Sequence, residues 1–195
     1  KDISDFYKEK KIDKKNYADV QEKKWYESIK EGNQFPAYNL YLDQYYFLDT
    51  YYCFLNYSRK YIKSILSLKD SFPLLYQFII KQKSIIDLGN GIGYSTIILK
   101  QEFPKMNVYG YNIKESDQFK YCKYLSKKYS FKMESALNKI GNIDILFASE
   151  YFEHYEKPIE HLDSLIKGLS PKILILANSF NTKSIGHFIN YSHNG

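Results

Sequence analysis

The sequence predicts an α/β chain built on a doubly wound, mainly parallel sheet. Three observations carry that expectation. From Ser84 onward, apolar runs short enough to be buried strands alternate with segments whose apolar residues recur at helical spacing. Alternation of this kind is what parallel strands joined by crossover helices require. A glycine-rich stretch, Gly89-Asn90-Gly91-Ile92-Gly93, follows directly on the first of those runs. Before Ser84 the pattern is helical and aromatic throughout, so the sheet is expected to carry an N-terminal helical cap.

Composition bounds the reading. The chain has 195 residues, 44% hydrophobic and 26% charged, which suits one packed domain with a modest embellishment and excludes wholesale disorder. Tyrosine is abundant, at 21 residues, and the net charge is +6. A basic surface is compatible with an anionic partner or nucleic acid, and equally with the codon bias of an AT-rich genome. Cys53 and Cys122 have no short paired spacing, so neither a disulfide framework nor a cysteine zinc site is expected. No apolar run reaches the roughly 18 residues that cross a bilayer. The chain therefore reads as cytoplasmic and free of the membrane, with nothing to fix its oligomeric state. It opens on Lys1 and stops at Asn194-Gly195, as expected of a piece of a longer protein whose last strands are missing.

Three segments follow. Residues 1–16 alternate Lys with Asp and Glu and read as a charged leader. Residues 17–83 form the helical cap or substrate-recognition segment. There Tyr41, Tyr45, Leu48, Tyr52 and Leu55 recur at spacings of four and three, continued by Ile62 and Leu66, and predict one buried stripe. Ser71 is the expected N-cap of a short helix opening at Pro73, with Leu74, Leu75, Phe78 and Ile79 as its apolar face. The core is residues 84–195. Its expected strands are Ile85-Ile86, Val108–Tyr111, Ile143–Phe147 and Ile173–Leu176. Its expected helices are Tyr94–Lys100, Asp117–Lys128 and Pro158–Leu169, the last ended by Gly168 to Pro171.

In an open parallel sheet, ligands bind outside the carboxyl ends of the strands where the strand order reverses, so the loops after the strands carry the chemistry. The first loop's glycines permit a tight turn and close approach of a ligand to backbone. A dinucleotide fingerprint needs glycine at position 94, where Tyr94 stands, which disfavours a nicotinamide enzyme. After the run Ile143–Phe147, Glu150, Glu153 and His154 lie at i, i+3 and i+4, which shares one face if the segment is helical. The turn Asn178-Ser179-Phe180-Asn181-Thr182 follows the run Ile173–Leu176, also at the expected crevice.

The run Ile85-Ile86-Asp87-Leu88-Gly89-Asn90-Gly91-Ile92-Gly93 closely resembles the first motif of class I S-adenosylmethionine (SAM)-dependent methyltransferases, and with it a Rossmann-like fold. The resemblance covers residues 84 to about 178. It implies that Asp87, Gly89, Asn90, Gly91 and Gly93 surround SAM. It places Asn112, at the end of the second strand, where the family holds the ribose with an acid, and Glu134 near the adenine amino group; a surface carboxylate is the alternative for Glu134. The segment Glu150-Tyr151-Phe152-Glu153-His154 is similar to the metal site of ubiquinone-pathway O-methyltransferases and of small-RNA 3′-terminal 2′-O-methyltransferases. That likeness implies Mg²⁺ held by Glu150, Glu153 and His154, with His187 as a further ligand. Without a metal, Glu153 and His154 are an ordinary Glu-His pair, and His154 is the general base by its pKa near 6.5.

The implied activity is methyl transfer to a hydroxyl or amine of a small molecule or nucleic acid. Two alternatives stand beside it. One is a non-catalytic SAM-fold module that regulates or binds a partner. The other is a basic nucleic-acid-binding protein in which the Tyr-rich helix, with Arg59, Lys60 and Lys63, works on an α/β scaffold.

Overall fold

A computed structural model describes residues 17–30, 40–43, 46–188 and 191. The charged leader 1–16 and Tyr45 lie outside those residues. The sheet has five strands in the order β3-β2-β1-β4-β5, every neighbouring pair parallel. They are β1 (Ser84–Leu88), β2 (Asn107–Tyr111), β3 (Lys132–Glu134), β4 (Ile145–Ser149) and β5 (Ile173–Ala177). The fold is thus the doubly wound, Rossmann-like α/β architecture. Strands β1 and β4 are central and nearly all buried, because helices cover both faces of a parallel sheet. Asp87 sits opposite Gly110 on one side and Phe147 on the other. The chain winds outward from β1 to β2 and β3, then returns to β4 and β5. The crevice therefore opens between the carboxyl ends of β1 and β4.

The fourth strand starts at Ile145, two residues later than the apolar run suggests. Ile143 is buried but Asp144 is used as an anchor. Its Oδ2 accepts from Lys83 N at 2.8 Å, Ser84 N at 3.1 Å and Ser84 Oγ at 3.2 Å, and Oδ1 pairs with Lys172 Nζ at 2.7 Å. One carboxylate ties the starts of β1, β4 and β5, and the Lys172 ammonium with these donors holds it below the usual carboxylate pKa.

The cap comprises α1 (Tyr17–Lys30), α2 (Tyr46–Cys53), a π turn (Phe54–Ser58), α3 (Arg59–Ser71) and α4 (Pro73–Ile80). The expected stripe holds beyond the π turn, where Ile62 is buried and Leu66 packs against the core. Before and within the turn it fails: Tyr52 and Leu55 are exposed, and Tyr46 and Phe47 are buried instead. Phe72, not Ser71, is the N-cap of α4, with Pro73 in the first turn. On α4 only Ile79 is buried; Leu74, Leu75 and Phe78 stay exposed, since this two-turn helix touches the core along one edge. No helix among the described residues is long and apolar enough to cross a membrane.

The core helices are α5 (Tyr94–Glu102), α6 (Asp117–Tyr129) and α7 (Pro158–Leu169). Ser116 caps α6 by accepting from Phe119 N at 3.1 Å. Helix α7 opens on Pro158 and ends at Ser170 in the left-handed conformation, so Gly168 lies inside the helix rather than stopping it. Phe47, Ile62, Ile65 and Ile79 of the cap share one apolar cluster with Ile85, Ile145 and Phe147 of the sheet. The opposite face packs Ile86, Leu88, Leu146 and Ala148 against Leu165 and Leu169 of α7. A third cluster joins Trp25 of α1 to Leu40, Tyr46 and Ile185.

Candidate active site at the carboxyl ends of β1 and β4

The β1 strand delivers Asp87, 2% exposed, to the base of the crevice. Its Oδ2 accepts from Ser95 Oγ at 2.6 Å and Thr96 Oγ1 at 2.7 Å, both in the first turn of α5. Burial pushes its pKa up to about 6, against the two hydroxyl donors, which lower it. The chain then turns through Gly89 and Gly91, at φ of 60° and 51°, a region glycine enters without strain. A Cβ on Gly89 would overlap the Tyr151 ring. Gly93 is the left-handed N-cap of α5.

Asn90 and Asn112 brace this loop. Asn90 Nδ2 donates to Thr96 Oγ1 at 3.0 Å. Asn112 Nδ2 donates to the Gly91 carbonyl at 3.0 Å, and its Oδ1 accepts from Ile113 N at 2.8 Å. The Asn112 amide thus bridges the β1 loop, through Nδ2, and its own β2 loop, through Oδ1.

A cavity of about 430 Å³ opens over the loop, within the roughly 300–1,000 Å³ typical of small-ligand sites. Among the residues singled out from the sequence, Asp87, Gly89, Asn90, Gly91, Asn112, Glu150, His154 and His187 line it. Gly93, Glu134 and Glu153 do not. Glu134 ends β3, two strands from the crevice, and meets the site only through its carbonyl, which accepts from Asn112 N at 3.3 Å.

Two lining residues escape sequence reasoning. Gln118 of α6 is 2% exposed, and its Oε1 has no hydrogen-bond partner. Nothing marks it in the sequence, where it stands among polar neighbours. Asp49 of α2 is a carboxylate set in a Tyr- and Phe-rich run, and that contrast is a legible signal. Burial raises its pKa to about 6.

The Glu150 to His154 segment is not helical as its spacing suggests. Glu150 has φ of 52° and only Phe152–His154 form a 3-10 turn. The strand end, not a helix face, gathers the groups. Glu150 Oε1 accepts from Tyr61 OH at 3.2 Å and Ser179 Oγ at 3.1 Å. Asn178 Oδ1 fixes the turn by accepting from Tyr151 N at 2.9 Å and Phe152 N at 2.8 Å. Glu153 is fully buried, accepts from Ser179 N at 3.3 Å through Oε1, and has no partner for Oε2. Burial, then the neighbouring Glu150 carboxylate, raises its pKa.

His154 and His187 pack edge to face, ring centres 4.9 Å apart. His154 Nδ1 lies 3.0 Å from the Gly186 carbonyl, and His187 Nδ1 lies 3.1 Å from the Thr182 carbonyl. A carbonyl only accepts, so each Nδ1 carries the proton and each Nε2 keeps its lone pair. Tyr41 OH also meets His154 Nδ1, at 2.9 Å. Burial, with His187 beside it, pushes His154 down to about 3. Its ring is therefore held neutral at pH 7.

One ligand atom each from Glu153, His154 and His187 lie within 4.8 Å of one another. Two neutral imidazoles and one carboxylate suit Zn²⁺, Mn²⁺ or Fe²⁺; Mg²⁺ favours an all-oxygen shell. The expected Mg²⁺ does not fit this donor set, and Glu150 stands outside it.

No protein-family model matches the chain, and no curated protein does. Several solved structures match part of it. Coclaurine N-methyltransferase bound to N-methylheliamine and S-adenosylhomocysteine (SAH) is 22% identical over 51% of this chain, TM-score 0.40. The N-terminal domain of EvdMO1 with SAH is 12% identical over 55%, TM-score 0.42. PKMT2 from Rickettsia typhi in complex with AdoHcy is 14% identical over 46%, TM-score 0.40. The chain spans 32%, 45% and 19% of these proteins respectively, less than half of each.

Proposed function

We propose that the chain is a SAM-dependent methyltransferase that binds SAM in the crevice beyond β1 and transfers its methyl group to a hydroxyl or amine of a small molecule. The observation that carries this reading is the β1 loop: a buried Asp87 tied to α5, followed by glycines that bring backbone to the cavity surface at the point where strand order reverses. When bound, SAM supplies an electrophilic methyl group on a sulfonium. The chain's own residues then have mainly to bind, orient and exclude water. Asp87 would hold the cofactor's amino end, directly or through water. With Asn112 committed to its loop, the unpartnered Oε1 of Gln118 is the acceptor available to a nucleoside donor. A wall of Tyr41, Tyr46 and Phe54 from the cap covers the acceptor side.

A second reading of the Glu153, His154 and His187 cluster has its own support. The orphaned Glu153 Oε2 and the two Nδ1-anchored imidazoles are the donor set of a divalent cation softer than Mg²⁺, oriented by their backbone partners. In that reading the cation would polarise an acceptor oxygen.

Calorimetric titration with SAH tests the cofactor assignment. Micromolar binding that weakens at least tenfold in Asp87→Ala is expected. A folded wild type that ignores SAH favours the non-catalytic module, and steeply salt-dependent binding of nucleic acid instead favours the scaffold reading. Repeating the titration with Zn²⁺ or Mn²⁺, and with Glu153→Gln, tests the metal.

A further inference from the structure

The cavity has a charge pattern opposite to that of the chain. Lys and Arg number 28 against 22 Asp and Glu. Yet no lysine or arginine among the described residues lines the cavity, while Asp49, Asp87 and Glu150 do. None of the three carboxylates forms an ion pair among the described residues. Asp87 is held at the end of β1 by α5, and Glu150, just beyond β4, by Tyr61 and Ser179. Asp49 enters from the cap, with only a 4.0 Å contact from the Cys53 thiol. Behind them the buried Glu153 keeps an oxygen without a partner.

Six phenyl or phenol rings share the rest of the lining with small polar side chains such as Ser58, Ser149 and Ser184 and with His154 and His187. Tyr41, Tyr46, Phe54, Tyr111, Tyr151 and Tyr155 all face the cavity. Aromatic faces attract organic cations through their quadrupole, and a carboxylate beside them strengthens the attraction. A phosphodiester would meet the reverse: acids and ring faces, with no cation to neutralise it. Arg59, Lys60 and Lys63 are exposed and lie outside the cavity lining.

We infer that the methyl acceptor is a small organic amine that enters as its ammonium ion and is held by Asp49 and Glu150 against the aromatic rings. This rests on the methyltransferase reading of the same site and narrows its acceptor from a hydroxyl or amine to an amine. The ammonium gives one proton to water at the cavity mouth. Its nitrogen lone pair then forms a bond to the methyl carbon as the carbon–sulfur bond breaks. That bond's electron pair stays on sulfur, giving neutral SAH and an N-methylammonium product.

Three probes of one size and different charge test it: benzylamine, benzyl alcohol and benzoate, with the dinucleotide UpU as a phosphodiester. Affinities are read by NMR titration in EDTA, with and without SAH. Benzylamine should bind at least tenfold tighter than the alcohol, and benzoate and UpU weaker still. In Asp49→Asn and in Glu150→Gln, the advantage of benzylamine over the alcohol should fall to within threefold. A cooperative thermal melt shows that each variant is folded, and either variant suffices. Benzoate or UpU binding as tightly as benzylamine overturns the proposal, as does an advantage that survives both substitutions. Catechol outcompeting benzylamine in EDTA-free buffer with Zn²⁺ added overturns it too, in favour of a metal-held oxygen acceptor. SAH titrated alone separates the two levels: a folded protein that does not bind it removes the methyltransferase reading itself, and the acceptor assignment with it.

Discussion

At Asp87 the demands of folding and of ligand binding pull in opposite directions. Burial raises its pKa from 3.8 to about 6, so the folded chain holds that proton more tightly than the unfolded one. The associated stability is complete below pH 3.8 and is lost as pH rises through about 6. Asp87→Asn keeps an oxygen for Ser95 and Thr96 and removes the charge. It should stabilise the ligand-free protein by about 1–3 kcal/mol at pH 7.5 and by almost nothing at about pH 3, as read by urea melts at both values. The same variant should bind SAH at least tenfold more weakly. Gln118→Leu should behave alike in part. Removing a buried acceptor without a partner leaves stability within about 1 kcal/mol of wild type, while SAH affinity falls about tenfold. Calorimetry beside a thermal melt checks both. Asp87 and its glycines are legible because a strand followed by a tight turn constrains residue types locally. Gln118 is not legible, because its burial comes from packing between α6 and the crevice, which no local pattern encodes.

Elements show where spacing informs and where it misleads. Helix α7 opens at Pro158 as expected, because proline fixes a first-turn φ and needs no donor there. The Glu150, Glu153, His154 spacing was read through helical periodicity, yet the residues converge because β4 ends on a left-handed Glu150 and Asn178 pins the turn. The strand boundary at Ile145 was missed for a related reason: Asp144 is spent on a tertiary anchor. Asp144→Ala should destabilise by about 1–3 kcal/mol at pH 7, the range for lost charge-assisted hydrogen bonds. Its depressed pKa makes that contribution present above the unfolded carboxylate range and lost as pH falls through the folded value, so the two proteins should converge in strong acid. Gly89→Ala should destabilise by about 2–4 kcal/mol, since it combines a positive φ with overlap on Tyr151.

Across the whole molecule, the cap and the sheet are one packed body. Trp25 is 3% exposed and donates through Nε1 to the His187 carbonyl at 2.7 Å. Ser149 Oγ meets Ser58 Oγ at 2.9 Å, and Tyr61 reaches Glu150. The helices thus position the groups at the crevice. Trp25→Phe should therefore cost about 1–3 kcal/mol of stability and also loosen His187, read as a weaker response to added Zn²⁺ in a thermal melt. The parallel, doubly wound sheet is legible from the alternation of runs after Ser84, because crossover rules leave few alternatives; the three-residue β3 is not, since it is too short to show a pattern. Which cap residues reach the site is not legible either, because contacts such as Tyr41 to His154 and Trp25 to His187 span more than a hundred residues.

The central claim is that the cavity beyond β1 holds SAM. A crystal structure of the protein with SAH tests it most directly. The ligand is expected in the crevice, its amino acid end toward Asp87, backbone of Gly89 and Gly91 against it, and a nucleoside donor on Gln118 Oε1. A ligand bound elsewhere, or a crevice that stays closed to SAH at millimolar concentration, would contradict it.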